Sequence, residues 1–321
     1  MMLGLTLMTG RPSYPWWPAD AGYVADFVND RYMRGGVAVD RATALAFTRS
    51  TPKLAQDSSG AWHSFAIDVP ALTDHGLLLE PAGTNRVPNA AMAGAAVGVI
   101  GAGGTLPTGW TIADFATAEI TATGTEAGLP FIELRLQHEN STGGNQYPRL
   151  VCAAAIAAGI GEQWTASCFY KKIAGTWPAI TGAFLNVEEI GTTIAYATAD
   201  RPEHLEARAR VAATWWTSSP GTIGLDMRAL MFNLSPGELL DVTLRIYAPQ
   251  LAKEAVASSP IITSGAAATR AADAASLSLP GGTYSLALAF DDASTQNVEG
   301  QSGSYDLEDS SASGMRLVIA S

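Results

Sequence analysis

Leu240-Asp241-Val242-Thr243-Leu244-Arg245-Ile246 sets an apolar residue at every second position and a polar one between. Successive side chains of a β-strand point to opposite faces, so this run buries one face and wets the other. Ile132, Leu134 and Leu136 repeat the pattern around Glu133 and Arg135. Leu225, Met227, Ala229 and Met231 repeat it with Asp226 and Arg228 outward, and Trp164, Ala166, Cys168 and Tyr170 share one face. Turn residues separate these runs: Ser141-Thr142-Gly143-Gly144-Asn145, Gly159-Ile160-Gly161 and Ser235-Pro236-Gly237. Short half-buried strands with such punctuation predict an all-β chain built on an antiparallel β-sandwich of the jelly-roll type.

Two stretches compete with that reading. Val151 to Ile160 is rich in alanine, a strong helix former. Its flanks are β and Gly159 and Gly161 end it, so it reads as a strand with a bulge. Glu203 to Val211 alternates strictly through Leu205, Ala207, Ala209 and Val211, which favours a strand.

The chain has 321 residues, 47% hydrophobic and only 15% charged, with a net charge of −11. A surface so poor in charge must be covered by Ser, Thr, Asn, Gln and Gly, as in many extracellular and virion β-proteins. Without a Lys/Arg run there is no nucleic-acid footprint, and the acidic balance argues against anionic membranes. No apolar run approaches the ~18 residues of a membrane span, so no insertion is expected. Met1 to Met8 lacks a basic n-region and does not read as a signal peptide. Cys152 and Cys168 form no metal-binding spacing and are expected to be free thiols in strands.

Texture divides the chain into four parts. Residues 1–25, with Pro12, Pro15, Trp16, Trp17 and Pro18, form an irregular N-terminal segment. Two adjacent indoles held by prolines suit an anchor on a partner or sister subunit, or equally a strap over the chain's own domain. Residues 26–87 read as a leader of short strands, 88–262 as the sandwich, and 263–321 as a linker and a small C-terminal β-hairpin unit. That last unit is too small to stand alone, so it must pack on the sandwich or on a neighbouring subunit.

Several phrases resemble tailed-phage fibre and spike proteins and their prophage or gene-transfer-agent relatives. Asp26-Phe27-Val28-Asn29, Phe47-Thr48-Arg49-Ser50 and Gly76-Leu77-Leu78-Leu79-Glu80-Pro81 through Thr84-Asn85 follow one another as in the leader segment of those proteins. Asn89 through Trp110, with Gly98-Val99-Ile100-Gly101-Ala102-Gly103-Gly104 inside it, is similar to their loop leading into a carbohydrate-binding-like sandwich. Pro249-Gln250-Leu251-Ala252, Ser258-Ser259-Pro260-Ile261-Ile262-Thr263 and Thr269-Arg270-Ala271-Ala272-Asp273 resemble its closing phrase. The resemblance implies a virion-surface protein, assembled in the bacterial cytoplasm as a homo-oligomer. A tail fibre would be a trimer and a spike at a capsid vertex a pentamer. It implies contact with other virion proteins through the N-terminal segment, and with host capsule or lipopolysaccharide.

The motifs of chemistry are sparse. The glycine run 98–104 superficially matches a dinucleotide loop, but Pro107 and Gly109 exclude the helix that such a loop needs. Glu188-Glu189, Asp291-Asp292 and Glu308-Asp309 are adjacent pairs, which on a strand face opposite ways and cannot flank a glycosidic bond. His63, His75, His138 and His204 are scattered and read as surface or turn residues. No catalytic residue, metal ligand or cofactor is assigned; calcium would suit loop acids, but no motif supports it. The glycan candidates are aromatic, because sugars stack their C–H faces on Trp and Tyr. Trp110 and Trp164 read as core; Trp177, in a turn, and one of the adjacent Trp215 and Trp216 read equally as core or exposed platform. Composition by itself gives only an acidic, polar-surfaced β-protein; it is the resemblance that implies a glycan-binding adsorption protein ahead of an architectural virion protein, with a depolymerising hydrolase third.

Overall fold

A computed structural model describes residues 15–176, 183–191, 193–200, 206–307 and 314–321. Among the described residues only Arg41–Ala44 is α-helical, capped by Asp40, whose carboxylate accepts from Thr43 N at 2.8 Å. Almost everything else that is regular is strand. No described helix is long and apolar enough to cross a membrane.

Two sheets, of seven and five strands, face each other. The chain passes between them repeatedly. Thr117–Glu126 and Leu129–Glu139 form a hairpin in the larger sheet, Arg149–Ala157 lies in the smaller, and Gln163–Thr176 is back in the larger. Ala183–Ile190 and Ala195–Asp200 then pair in the smaller sheet, Ala209–Trp216 edges the larger, and Gly224–Phe232 rejoins the smaller. Leu239–Ala252 ends the walk in the interior of the larger sheet. This alternation is the jelly roll that the periodicity predicts. All sandwich pairings are antiparallel among the described residues except Gly98–Ile100 with Gly103–Gly104, where the glycine run folds into a short parallel pair.

The inward faces are those read from the sequence. Ile132, Leu134 and Leu136 meet Leu240, Val242, Leu244 and Ile246 in one fully buried layer, with Trp110 and Trp164 beside them. Cys152 and Cys168 come from opposite sheets and are free, buried thiols. Burial pushes the Cys168 thiol up to about 12. The alanine-rich stretch is a strand with three register shifts, at Leu150/Val151, Val151/Ala153 and Ala153/Ile156. The strand expected from Glu203 begins at Ala209; residues 201–205 lie outside the described ones. Met231 departs from its expected inward place. The bulge opposite Leu150/Val151 shifts the alternation, so Leu230 is inward while the Met231 thioether lies 3.4 Å from Arg228 Nη1 on the outer face.

The terminal hairpin unit, expected to pack on the sandwich or on a neighbouring subunit, instead completes the leader. Tyr23–Asp26 pairs with Arg31–Arg34 on one side and with Met315–Ala320 on the other. Tyr23, Phe27, Leu77, Leu79, Leu277, Leu286, Leu288 and Val318 share one core. A leader hairpin, Lys53–Gln56 with Trp62–Phe65, sets Leu54 and Trp62 against Phe131, Phe169 and Tyr247 on the outer face of the larger sheet.

Two of the phrases read in the sequence, Gly76 through Asn85 and Pro249 through Asp273, meet where these bodies join. Gly83–Asn85 pairs with Ala268–Arg270. Asn85 donates to Pro249 O and Ile261 O and accepts from Val87 N and Leu251 N, so its buried amide bonds in all directions. Beside it lies a buried charged cluster. Asp273 receives Arg49 at 2.9 Å and Lys53 at 2.5 Å, and Glu80 receives Arg270 at 3.1 Å, Lys53 at 3.2 Å and Ser259 N at 2.7 Å. Burial lowers the Lys53 pKa, against the pull of Glu80 and Asp273. Charges so far from water persist only when opposite charges and hydrogen bonds replace the lost hydration.

Candidate functional site

The outer face of the five-stranded sheet is where side chains of binding character converge. In Ala183–Ile190, Leu185 and Val187 point into the core, which sends Asn186 and Glu188 outward. Residues paired directly across strands share a face. Asn186 pairs with Arg228, and Glu188 with both Asp226 and Tyr196, so three strands contribute to one row.

Arg228 organises the row. Its Nη1 donates to Asn186 Oδ1 at 3.1 Å and its Nη2 pairs with the Glu188 carboxylate. Its guanidinium lies 5.7 Å from the Tyr196 ring centroid, and Tyr196 is 56% exposed. On the next strands Arg149 pairs with Asp114 at 2.5 Å. Burial, with Arg149 nearby, lowers the Arg228 pKa, yet a guanidinium stays charged at any working pH. Asn186 is fully buried beneath Arg228, and among the described residues its Nδ2 has no acceptor.

A flat ring, a planar guanidinium, an amide and carboxylates within one patch suit a hydroxylated ring. Tyr196 offers a face for C–H stacking, and the polar groups offer donors and acceptors. Both arginines already carry carboxylate partners, so the patch has no strong preference for an anion. Its carboxylates are engaged in the fold: Glu188 by Arg228, and Asp226 by Ala155 N at 2.7 Å.

The residues singled out in the sequence lie elsewhere. Trp215 packs against the main core from the edge strand of the larger sheet, and Trp216 beside it is 61% exposed on the outer side. Neither shares a sheet with Tyr196. Trp177 lies outside the described residues, as do His204 and Glu308-Asp309. Trp16 and Trp17 meet edge to face at 5.2 Å, half-buried against the patch of Val24 and Met33, with Arg31 4.6 Å from the Trp16 ring. Glu188 and Glu189 do part to opposite sides: Glu189 is buried and accepts from Ser218 N, Ser219 N and Thr222 Oγ1. His63 is bound to Asp57 and His75 to Asp291, each at 2.6 Å, and His138 to Gln146 at 2.5 Å. Among the described residues no group of three or more His, Cys, Asp or Glu side chains is placed to hold a metal ion. Tyr196 had a signal in the sequence that went unread. It is the one bulky side chain among the alternate positions 196 and 198 of an Ala/Thr-rich strand.

No family model matches the chain, and no curated protein matches it. Solved structures do. The tripod from the baseplate of bacteriophage Tuc2009 is matched over 86% of this chain and 96% of its own, at 11% identity and a TM-score of 0.39. A carbohydrate-binding module of the β-sandwich superfamily is matched over 73% of this chain and 86% of its own, at 14% identity and a TM-score of 0.38. An arabinose-bound GH51 α-L-arabinofuranosidase is matched over 64% of this chain at 11% identity and a TM-score of 0.35, and the chain spans only 31% of that protein. Likenesses so remote carry no argument, and the chain's own geometry has to.

Proposed function

We propose that this chain is a structural protein of a phage particle that binds host-surface glycan through the outer face of its five-stranded sheet. The observation that carries the reading is the row of Tyr196, Arg228, Asn186 and Glu188, an exposed ring beside hydrogen-bonding groups that the fold holds in place. The acidic surface, poor in charge, and the resemblance of the leader and closing phrases support the assignment to a virion. In this reading the protein is a homo-oligomer on the particle surface, its N-terminal segment toward other virion proteins and its sandwich toward capsule or lipopolysaccharide.

The test offers labelled protein to host cells with and without capsule, and to purified capsule and lipopolysaccharide. Binding that depends on one of these polymers, and that weakens about tenfold or more in Tyr196→Ala and Arg228→Ala, supports the reading. Polymer-dependent binding untouched by both substitutions removes this face from it. No binding to either polymer leaves an architectural role, and a fall in polymer viscosity makes the protein a depolymerase.

A further inference from the structure

The loops at one end of the sandwich carry no charge. Residues 150–161, 190–199 and 211–225 contain no Asp, Glu, Lys, Arg or His, in a chain of net charge −11. At this end Arg149–Ala157 stops, Ala183–Ile190 turns into Ala195–Asp200, Ala209–Trp216 stops and Gly224–Phe232 begins. Ile160, Ile194, Trp216 and Ile223 stand there between 57% and 72% exposed. We infer that this end of the sandwich docks a second copy of the chain, patch against patch. Such docking rests on the homo-oligomer proposed for the particle, and not on its glycan.

Hydrogen bonds join the loops into one surface. Thr217 Oγ1 donates to Gly159 O at 2.6 Å, and Gly161 N donates to Thr217 O at 2.8 Å. Ser219 Oγ donates to Thr193 O, and Ile223 N donates to Ile190 O at 2.8 Å. The buried Glu189 carboxylate holds the central loop from beneath, accepting from Ser218 N and Ser219 N at 3.1 Å and from Thr222 Oγ1 at 2.9 Å. Four large apolar side chains are thus carried on a backbone that is already in place, so docking has little loop to order.

Area and charge choose the occupant. The four side chains present on the order of 500 Å² of apolar surface, near the top of the range for the largest patch on a monomer. One side of a standard interface takes about 800 Å², a little over half of it apolar. The patch therefore supplies the apolar area that one side of a stable dimer needs. Two chains of net charge −11 repel over most of their surfaces, and at this end they meet without opposed free carboxylates. Glu162 at the rim is paired with Lys253 at 2.8 Å, and Glu189 is buried. A lipid surface calls for free Lys or Arg beside the apolar loops, and Lys253 is already engaged by Glu162.

Sedimentation velocity on the whole chain, with no polymer present, is the test. Expected is a dimer with a micromolar dissociation constant. Trp216→Lys together with Ile223→Lys should weaken it about thirtyfold or more. The urea midpoint of that variant should not move, because both side chains already meet water. In the unsubstituted chain, amide exchange in residues 158–161 and 217–223 should slow as concentration rises from about 1 to about 100 µM, a readout that needs no variant. A chain that stays monomeric at about 100 µM overturns the docking surface and the homo-oligomer together. An oligomer that the double variant leaves intact, or exchange in these loops that ignores concentration while the chain oligomerises, overturns the docking surface alone. Monomers that bind phosphatidylcholine vesicles, and lose that binding in the double variant, replace the second copy by a lipid surface. All these outcomes leave the glycan test of the sheet face as it was.

Discussion

Two of the places where arginine meets carboxylate have opposite consequences. In the clasp that joins leader, linker and sandwich, the side chains of Arg49, Lys53 and Asp273 have no exposure and that of Glu80 has 1%. On the outer face of the five-stranded sheet, Arg228 and Glu188 keep 12% and 15%, beside an open Tyr196. The same chemistry is fully enclosed where water is excluded and lies beside an exposed ring where water is admitted. In the clasp Glu80 takes Lys53, Arg270 and both donors of Ser259, so its capacity is spent inside the protein. At the sheet face Tyr196 and the rim of the Arg228 cluster still meet solvent. The clasp therefore explains why the two phrases are so specific in sequence without being a site: they supply the partners that let five charges stay buried.

The strongest way to break this comparison is to remove one member of the clasp. Asp273→Ala leaves Arg49 and Lys53 buried without their shared carboxylate and is expected to cost roughly 3–5 kcal/mol, read as a fall in the urea midpoint. A cost near zero would mean that the cluster is hydrated in solution and that its contrast with the sheet face is lost. Lys53→Met should cost clearly less than Asp273→Ala, because Arg49 still serves Asp273 and Arg270 still serves Glu80. A larger loss than for Asp273→Ala would make Lys53 the centre of the cluster.

Arg228→Ala sharpens the other side. It removes a half-buried pair and a stack on Tyr196, and is expected to cost about 1–2 kcal/mol of stability. Its main effect should fall on glycan affinity, whereas Asp273→Ala should leave the affinity of the folded fraction unchanged. Equal effects of both substitutions on affinity would show that the sheet face depends on the clasp.

The sandwich was legible because one physical signal, period-two alternation, repeats in Ile132–Leu136, Trp164–Tyr170 and Leu240–Ile246, and burial on one side is all it needs to report. It misplaced Met231 because a bulge adds a residue to one strand and inverts every later position, and no local residue marks where that happens. The sites were barely legible. Trp216 stands exposed as the sequence allowed, but the convergent row uses Arg228, read only as outward, and Tyr196, passed over in an alanine-rich strand.

The smallest effect concerns a third set of charges, more exposed than the other two. On the outer face of the larger sheet Glu126 receives Lys171 at 2.7 Å and Arg245 at 2.8 Å, while Arg245 also holds Glu133 at 2.8 Å. Burial raises the Glu126 pKa, but hydrogen bonds from Lys171, Tyr247 and Arg245 outweigh it and bring it from 4.5 to about 2. A carboxyl whose folded pKa is depressed contributes stability above its unfolded pKa and loses it as pH falls through the folded one. The contribution of Glu126 should therefore be complete above about pH 5 and disappear between about pH 4.5 and 2. Glu126→Gln should flatten the pH dependence of the urea midpoint in that window and leave the slope above pH 5 unchanged. The ladder is partly exposed, so the same difference should shrink in 1 M salt, where screening acts over about 3 Å. In the clasp salt should change nothing, and a salt-sensitive Asp273→Ala difference would place that cluster in water after all.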